Sequence, residues 1–135
     1  MTQSNEQDLR SEQGKKPYSV ISTDELKARL DREGADNQSR RSGFAFVNVL
    51  PQESFAAEHI PDSVNIPMKQ LEAFERLFDK EKEVVVYCAS KACDASEHAA
   101  SELVRRGFRS VYEYQAGTEG WRNAGNKTMK DQIEH

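Results

Sequence analysis

Two cysteines separated by four residues lie in the stretch VVVYCASKACDAS, residues 84–96. Cys88 closes an apolar run that reads as a strand, and Cys93 falls in the short polar stretch after it. Three chemistries are open to this arrangement. Cys88 can be a small apolar residue that finishes a strand. The pair can exchange thiols for a disulfide if their Cα atoms approach within about 7 Å. Or Cys88 is a nucleophile in a loop built around it.

Position gives the third reading its physical basis. In an open α/β sheet, ligands bind outside the carboxyl ends of the strands, where loops run into helix N-termini. The helical stretch SEHAASELVRRG follows the loop, and the unpaired N–H groups at its start carry about half a positive charge. They stabilise an anion, either a thiolate or an anionic substrate. Electropositive surroundings lower a cysteine pKa from about 8.5 to as low as about 3.5–7.5. Lys91 adds a cation if it faces inward. Asp94 and Glu97 oppose it: as a capping box across DASE they would occupy the helix-end donors. If Ser96 is the cap instead, Asp94 lies within the loop. The expected activation of Cys88 is modest.

The elements that must hold this loop follow from periodicity. Residues 1–16 lack an apolar period and read as a disordered polar leader. YSVISTDELKARLDREG is a short extended piece and then a helix, capped by Ser22 or Thr23, with Leu26 and Leu30 on one face and Gly34 as its stop. FAFVNVL suits a buried parallel strand. PQESFAAEH reads as a short helix, IPDSVNIP as a turn and an extended piece, and MKQLEAFERLF as a helix with Met68, Leu71, Phe74 and Phe78 inward. EVVVYC, the loop, its helix, the strand RSVYEYQAG and the short helix TEGWRNAG complete the pattern. Strands alternate with helices, so the expected class is α/β around a central, mainly parallel sheet. Residues 17–125 form the domain, and 126–135 read as a frayed polar tail.

Composition narrows the function. The 135 residues allow one domain, and 36% hydrophobic against 31% charged residues leaves room for solvated ends. A net charge of −4 argues against nucleic acid or an anionic membrane as a partner. No apolar run reaches the roughly 18 residues of a membrane span, and the N-terminal residues lack a secretory signal's apolar core. The expected location is therefore the cytoplasm, where both thiols stay reduced. Two cysteines without a second ligand pair do not make a zinc site, and no cofactor is expected.

Three segments resemble the rhodanese-like family. EHIPDSVNIP (residues 58–67) is similar to its G-H-I-P-G-A-x-N-I-P, VVVYC with the following loop and helix to its active-site strand, and AGTEGW (116–121) to its G-G-x-x-x-W. Gly117 and Trp121 match that last motif and Ala116 replaces its first glycine. The resemblance spans roughly residues 18–125. It implies a five-stranded, mainly parallel sheet with helices on both faces, and sulfur transfer through a persulfide on a loop cysteine. It assigns Cys88 as nucleophile and the loop Ala89, Ser90, Lys91, Ala92, Cys93, Asp94, Ala95 and Ser96 as cradle, with Asn48 and His59 as supporting candidates. The partners implied are a small sulfur donor such as thiosulfate and a thiol or cyanide acceptor, with a protein thiol among the options.

The departures carry information. From the cysteine to Gly107 and Phe108 the segment is about two residues longer than in the family, whose loop reads C-R-S-G-x-R-S; neither arginine is present here. Asp94 stands where the related phosphatases place the arginine of C-x5-R, so phosphate binding is disfavoured. Asn48, Leu50 and Ser54 stand where the family has an aspartate, an arginine and a glutamate. His98 reads as a helix-face residue and Trp121 as a packing anchor. These departures keep two further readings open: a catalytically weak module that presents a binding surface, and a thiol redox sensor using Cys88 and Cys93.

Overall fold

A computed structural model describes residues 17–131; the leader 1–16 and the last four positions of the tail lie outside the described residues. Five strands form one sheet in the order β1-β5-β4-β2-β3, and every pairing is parallel. The strands are β1 (Ser19–Ile21), β2 (Phe44–Asn48), β3 (Val64–Asn65), β4 (Glu83–Tyr87) and β5 (Ser110–Tyr114). The helices are α1 (Thr23–Arg32), α2 (Gln52–Ala57), α3 (Ala73–Leu77), α4 (Ala95–Arg105) and α5 (Gly117–Asn123). This is the expected α/β architecture.

Side-chain alternation sorts the strands into two cores. Ala45, Val47, Val84, Val86 and Val111 face α3 and α4, where Phe74, Phe78, Ala99, Ala100 and Leu103 pack on them. Phe44, Phe46, Val85, Tyr87 and Tyr114 face the opposite way, under Leu26, Ile60 and Trp121. Both faces are covered, which is why the central strands read as unbroken apolar runs. Cys88 keeps the parity of Val84 and Val86 and belongs to the α4 side.

Helix α1 starts on a capping box: the Glu25 N–H donates to Ser22 Oγ at 3.1 Å and the Ser22 N–H donates to Glu25 Oε1 at 2.7 Å. The single helix expected over MKQLEAFERLF is instead a 3₁₀ turn, Met68–Gln70, followed by α3. Met68, Leu71 and Phe74 recur every third residue, a period that suits 3₁₀ turns, and the Leu71 and Phe74 N–H groups bond to the carbonyls three residues back. The described part of the tail is pinned, not frayed. The His59 and Met129 backbones exchange two 2.8 Å hydrogen bonds, and Trp121 Nε1 donates to the Lys127 carbonyl at 2.8 Å.

One buried cation ties the sheet's entry together. Lys82, immediately before β4, is 0% exposed, and its Nζ donates to the carbonyls of Asp36 (2.7 Å), Ser39 (2.5 Å) and Ser42 (2.6 Å). The loop before β2 is thus wrapped around an ammonium that stands at the foot of β4. Replacing Lys82 by Met would leave those carbonyls without a donor. Lys82→Met is expected to lower the unfolding free energy by about 2–3 kcal/mol, read from the urea midpoint at constant m-value.

Candidate active site

Cys88 leaves the end of β4 at the carboxyl edge of the sheet, and its loop is held from below by α5. The Thr118 N–H donates to the Cys88 carbonyl at 3.1 Å, and the Glu119 N–H to the Ala89 carbonyl at 2.9 Å. This close approach needs a glycine. Gly117 has φ +70°, and a Cβ there would lie 2.5 Å from the Cys88 carbonyl oxygen and 2.7 Å from the Ser90 nitrogen. Beyond it, a turn closes the loop: the Cys93 N–H donates to the Ser90 carbonyl at 3.0 Å, and the Ala92 N–H to Ser90 Oγ at 3.2 Å.

The sulfur faces inward. Cys88 is 1% exposed, and its thiol donates to the Cys93 carbonyl and to Ser96 Oγ, each at 3.4 Å. Ser96 is the first member of α4's buried stripe, followed by Ala99, Ala100 and Leu103. The Ser96 backbone N–H points at the sulfur, as expected for a helix start, and the Cys93 thiol touches it as well. Burial, reinforced by the Cys93 thiol, pushes the Cys88 pKa up in spite of the Ser96 hydroxyl and that amide. Burial and the Cys93 thiol thus oppose the modest activation expected from the helix end and outweigh both Ser96 hydrogen bonds.

The remaining loop residues divide by exposure. Lys91 and Ala92 are exposed at the outer turn, so the one loop cation stands in water. Asp94 also points out, with Oδ2 at 3.4 Å from His98 Nε2, and forms no side-chain cap on α4. The DASE capping box is absent, and Ser96 is not the cap either. The Asp94 carboxylate therefore does not occupy the helix-end donors. Ala95 is half-buried behind it.

A cleft of about 470 Å³ opens over the first loop residues, Ala89 and Ser90. Leu50, Ser54, Ala57 and Glu58 line it from the segment after β2, and Thr118, Glu119 and Arg122 from α5. Arg122 Nη1 donates to Glu58 Oε1 at 2.6 Å, and Thr128 Oγ1 donates to Glu58 Oε2 at 2.7 Å. The Thr128 hydroxyl and the Arg122 guanidinium hold the Glu58 pKa low. Neither supporting candidate lines this cleft. Asn48 is buried and accepts the Leu50 N–H at 2.9 Å, shaping the turn after β2. His59 is buried against Phe55, with Nδ1 2.8 Å from the Phe55 carbonyl and the rings 3.9 Å apart.

Two groups absent from the sequence-based list stand out. Arg122 and Glu58 meet across sixty-four residues and could not be paired by spacing. Glu113 is 1% exposed and accepts the Ser96 hydroxyl at 2.8 Å. A signal for it existed, since alternation along SVYEYQ puts Glu113 on the same covered face as Val111. Among the described residues, no group of histidine, cysteine and carboxylate side chains is placed to hold a metal ion. Nor is any helix long and apolar enough to cross a membrane.

The model of the rhodanese-like domain family matches residues 22–124. The chain is 32% identical over 83 residues to the thiosulfate sulfurtransferase GlpE of Coxiella burnetii, covering 62% of this chain and 76% of that protein. It is 37% identical over the same span to GlpE of Pseudomonas syringae, again covering 62% of this chain and 76% of that protein. A crystal structure of a Bacillus halodurans protein superposes with a TM-score of 0.73 at 24% identity, covering 93% of this chain and 86% of that one.

The α5 contact makes a direct test of how the loop is held. Gly117→Ala forces a Cβ into the Cys88 carbonyl and adds left-handed strain, which together cost roughly 2–4 kcal/mol. The loop is expected to shift, raising the alkylation rate of Cys88 in the folded variant. An unchanged urea midpoint and an unchanged rate would refute that account of the glycine.

Proposed function

We propose that this chain, which belongs to the rhodanese-like domain family, is a sulfurtransferase in which Cys88 carries the transferred sulfur as a persulfide. The observation that supports it most is the placement of Cys88: at the carboxyl end of the central strand, inside a closed loop, with a helix-start N–H on its sulfur. Curated relatives named thiosulfate sulfurtransferase point to the same chemistry. The thiolate attacks the outer sulfur of a donor, the leaving group departs with the electron pair, and a thiol or cyanide later removes the sulfur. The Ser96 N–H, which already points at the sulfur, is placed to stabilise the terminal sulfur anion. The reading fits a reducing compartment such as the cytoplasm, where both cysteines would stay thiols.

The cleft argues for slow reaction with thiosulfate. Its charged groups are Glu58, Glu119 and Arg122, with no cation from the loop, so a dianion gains little there. The reduced protein is incubated with thiosulfate, its intact mass recorded, and thiocyanate release with cyanide measured. A single-sulfur adduct and turnover are expected, and Cys88→Ser should lower turnover by about 10³-fold or more. If several donors leave no adduct and Cys88→Ser changes nothing, the enzyme reading fails.

A second reading is favoured by one contact, that between the Cys88 and Cys93 thiols. Mild peroxide would take both thiols to an internal disulfide and two waters, making the loop a redox sensor. An intramolecular disulfide that Cys93→Ser abolishes is the expected result, by mass under non-reducing conditions. Persistence of both free thiols would exclude it.

A further inference from the structure

The loop brings a second thiol to the Cys88 sulfur. The chain has two cysteines, both free, and Cys93 is half-buried against the core cluster that contains Cys88. A turn holds it there: the Cys93 N–H donates to the Ser90 carbonyl at 3.0 Å, and the neighbouring Asp94 carbonyl accepts the His98 N–H at 3.1 Å as α4 begins. That turn uses only backbone groups of Cys93, so a serine or an alanine would close it equally well. The Cys93 carbonyl accepts the Cys88 thiol at 3.4 Å, and the Cys93 thiol bonds to the same sulfur. The two sulfurs are in contact without the loop moving.

A sulfur carried on Cys88 has few polar groups to hold it. The groups that meet Cys88 are the Ser96 hydroxyl and N–H and the Cys93 carbonyl and thiol. No lysine or arginine among the described residues is bonded to it, and Lys91 is exposed at the outer turn. A persulfide carries a sulfur–sulfur bond, and thiols attack such bonds with the departing sulfur as leaving group. Attack on the outer sulfur only moves it to another thiol. Attack on the inner sulfur expels it, and Cys93 is the thiol that stands beside that inner sulfur.

We propose that Cys93 is a resolving cysteine: when no acceptor takes the sulfur from Cys88, the Cys93 thiol discharges it as hydrosulfide and leaves a Cys88–Cys93 disulfide. This rests on the reading of Cys88 as the persulfide carrier. The Cys93 sulfur attacks the Cys88 sulfur, the bond between the two cysteines forms, and the bond to the outer sulfur breaks. The outer sulfur, anionic in the persulfide, leaves with that bond's electron pair and takes up the Cys93 proton. It is reduced to sulfide while the two cysteines are oxidised, so no outside oxidant enters. A dithiol, or two monothiols, then reduces the disulfide by exchange and restores the loop. Peroxide would give the same disulfide but no sulfide, which separates this activity from the sensor reading.

The test is a single turnover of the reduced full chain without oxygen or added thiol. The donor is one equivalent of benzenethiosulfonate, which gives up its outer sulfur and leaves as a sulfinate, so sulfide can come only from protein-bound sulfur. Intact mass and free sulfide are followed together. In wild type a single-sulfur adduct is expected to give way to a chain lighter than the reduced protein by two hydrogens, with one sulfide released per chain. Cys93→Ser is expected to hold the adduct about tenfold longer or more and to release no sulfide. Circular dichroism confirms folding, Cys93→Ala serves if Cys93→Ser is unfolded, and the wild-type sulfide yield stands without either variant. A wild-type adduct as long-lived as that of Cys93→Ser, or equal sulfide from both, overturns the proposal. So does a sulfur that merely moves to Cys93 with the mass unchanged. A folded Cys93→Ser chain that takes up no sulfur overturns the sulfurtransferase reading itself, so the two failures are distinct.

Discussion

The loop's geometry depends on two hydrogen bonds, from the α5 backbone to the carbonyls of Cys88 and Ala89. They turn the chain sharply as it leaves β4 and aim the rest of the loop over the start of α4. The contact is possible only because Gly117 has no side chain, and α5 is itself anchored by Trp121, edge-on to Tyr114 with centroids 6.4 Å apart. Sheet, loop and C-terminal helix are therefore one mechanical unit. A change in how α5 packs is transmitted to the sulfur without any residue of the loop being altered.

The same unit sets the electrostatics. Parity along β4 and β5 delivers Cys88 and Glu113 to one face, and α4 seals that face with small residues, Ala99 and Ala100. The seal brings Ser96 within reach of both, and it also removes water. Desolvation then dominates over the Ser96 hydroxyl and the helix-start amide and holds the Cys88 pKa up. The loop offers the sulfur no side-chain cation, since Lys91 stands in water and no loop residue is an arginine.

Much of this was legible in the sequence because it obeys short periods. Alternation in FAFVN and EVVVY marks both strands, and the stretch from Cys88 to the helix marks the loop. What was misread has tertiary causes. MKQLEAFERLF carries a helical composition, yet its threefold spacing is satisfied by 3₁₀ turns against the sheet. Residues 127–131 look like a polar tail, but backbone pairing at His59 and the Trp121 indole hold them, and neither depends on side-chain polarity in the tail. The sequence admits Asp94 as a cap or a repulsive loop charge, but its one-turn neighbour His98 gives it an outward partner. Glu113 is signalled by its parity, since a carboxylate on a covered face marks a buried polar network.

The cleft shows what replaces the lost wall charges. Where the family resemblance leads one to expect an arginine and a glutamate on the segment after β2, Leu50 and Ser54 line the cleft as neutral groups. An ion pair instead joins that segment to α5, built from Glu58 and Arg122 and braced by Thr128. The pair ties α5 to the segment after α2 and to the pinned tail, so it closes the cleft's flank as well as charging it. Two carboxylates and one guanidinium leave that flank net negative, with a single oriented cation. A compact dianion is poorly served by this field.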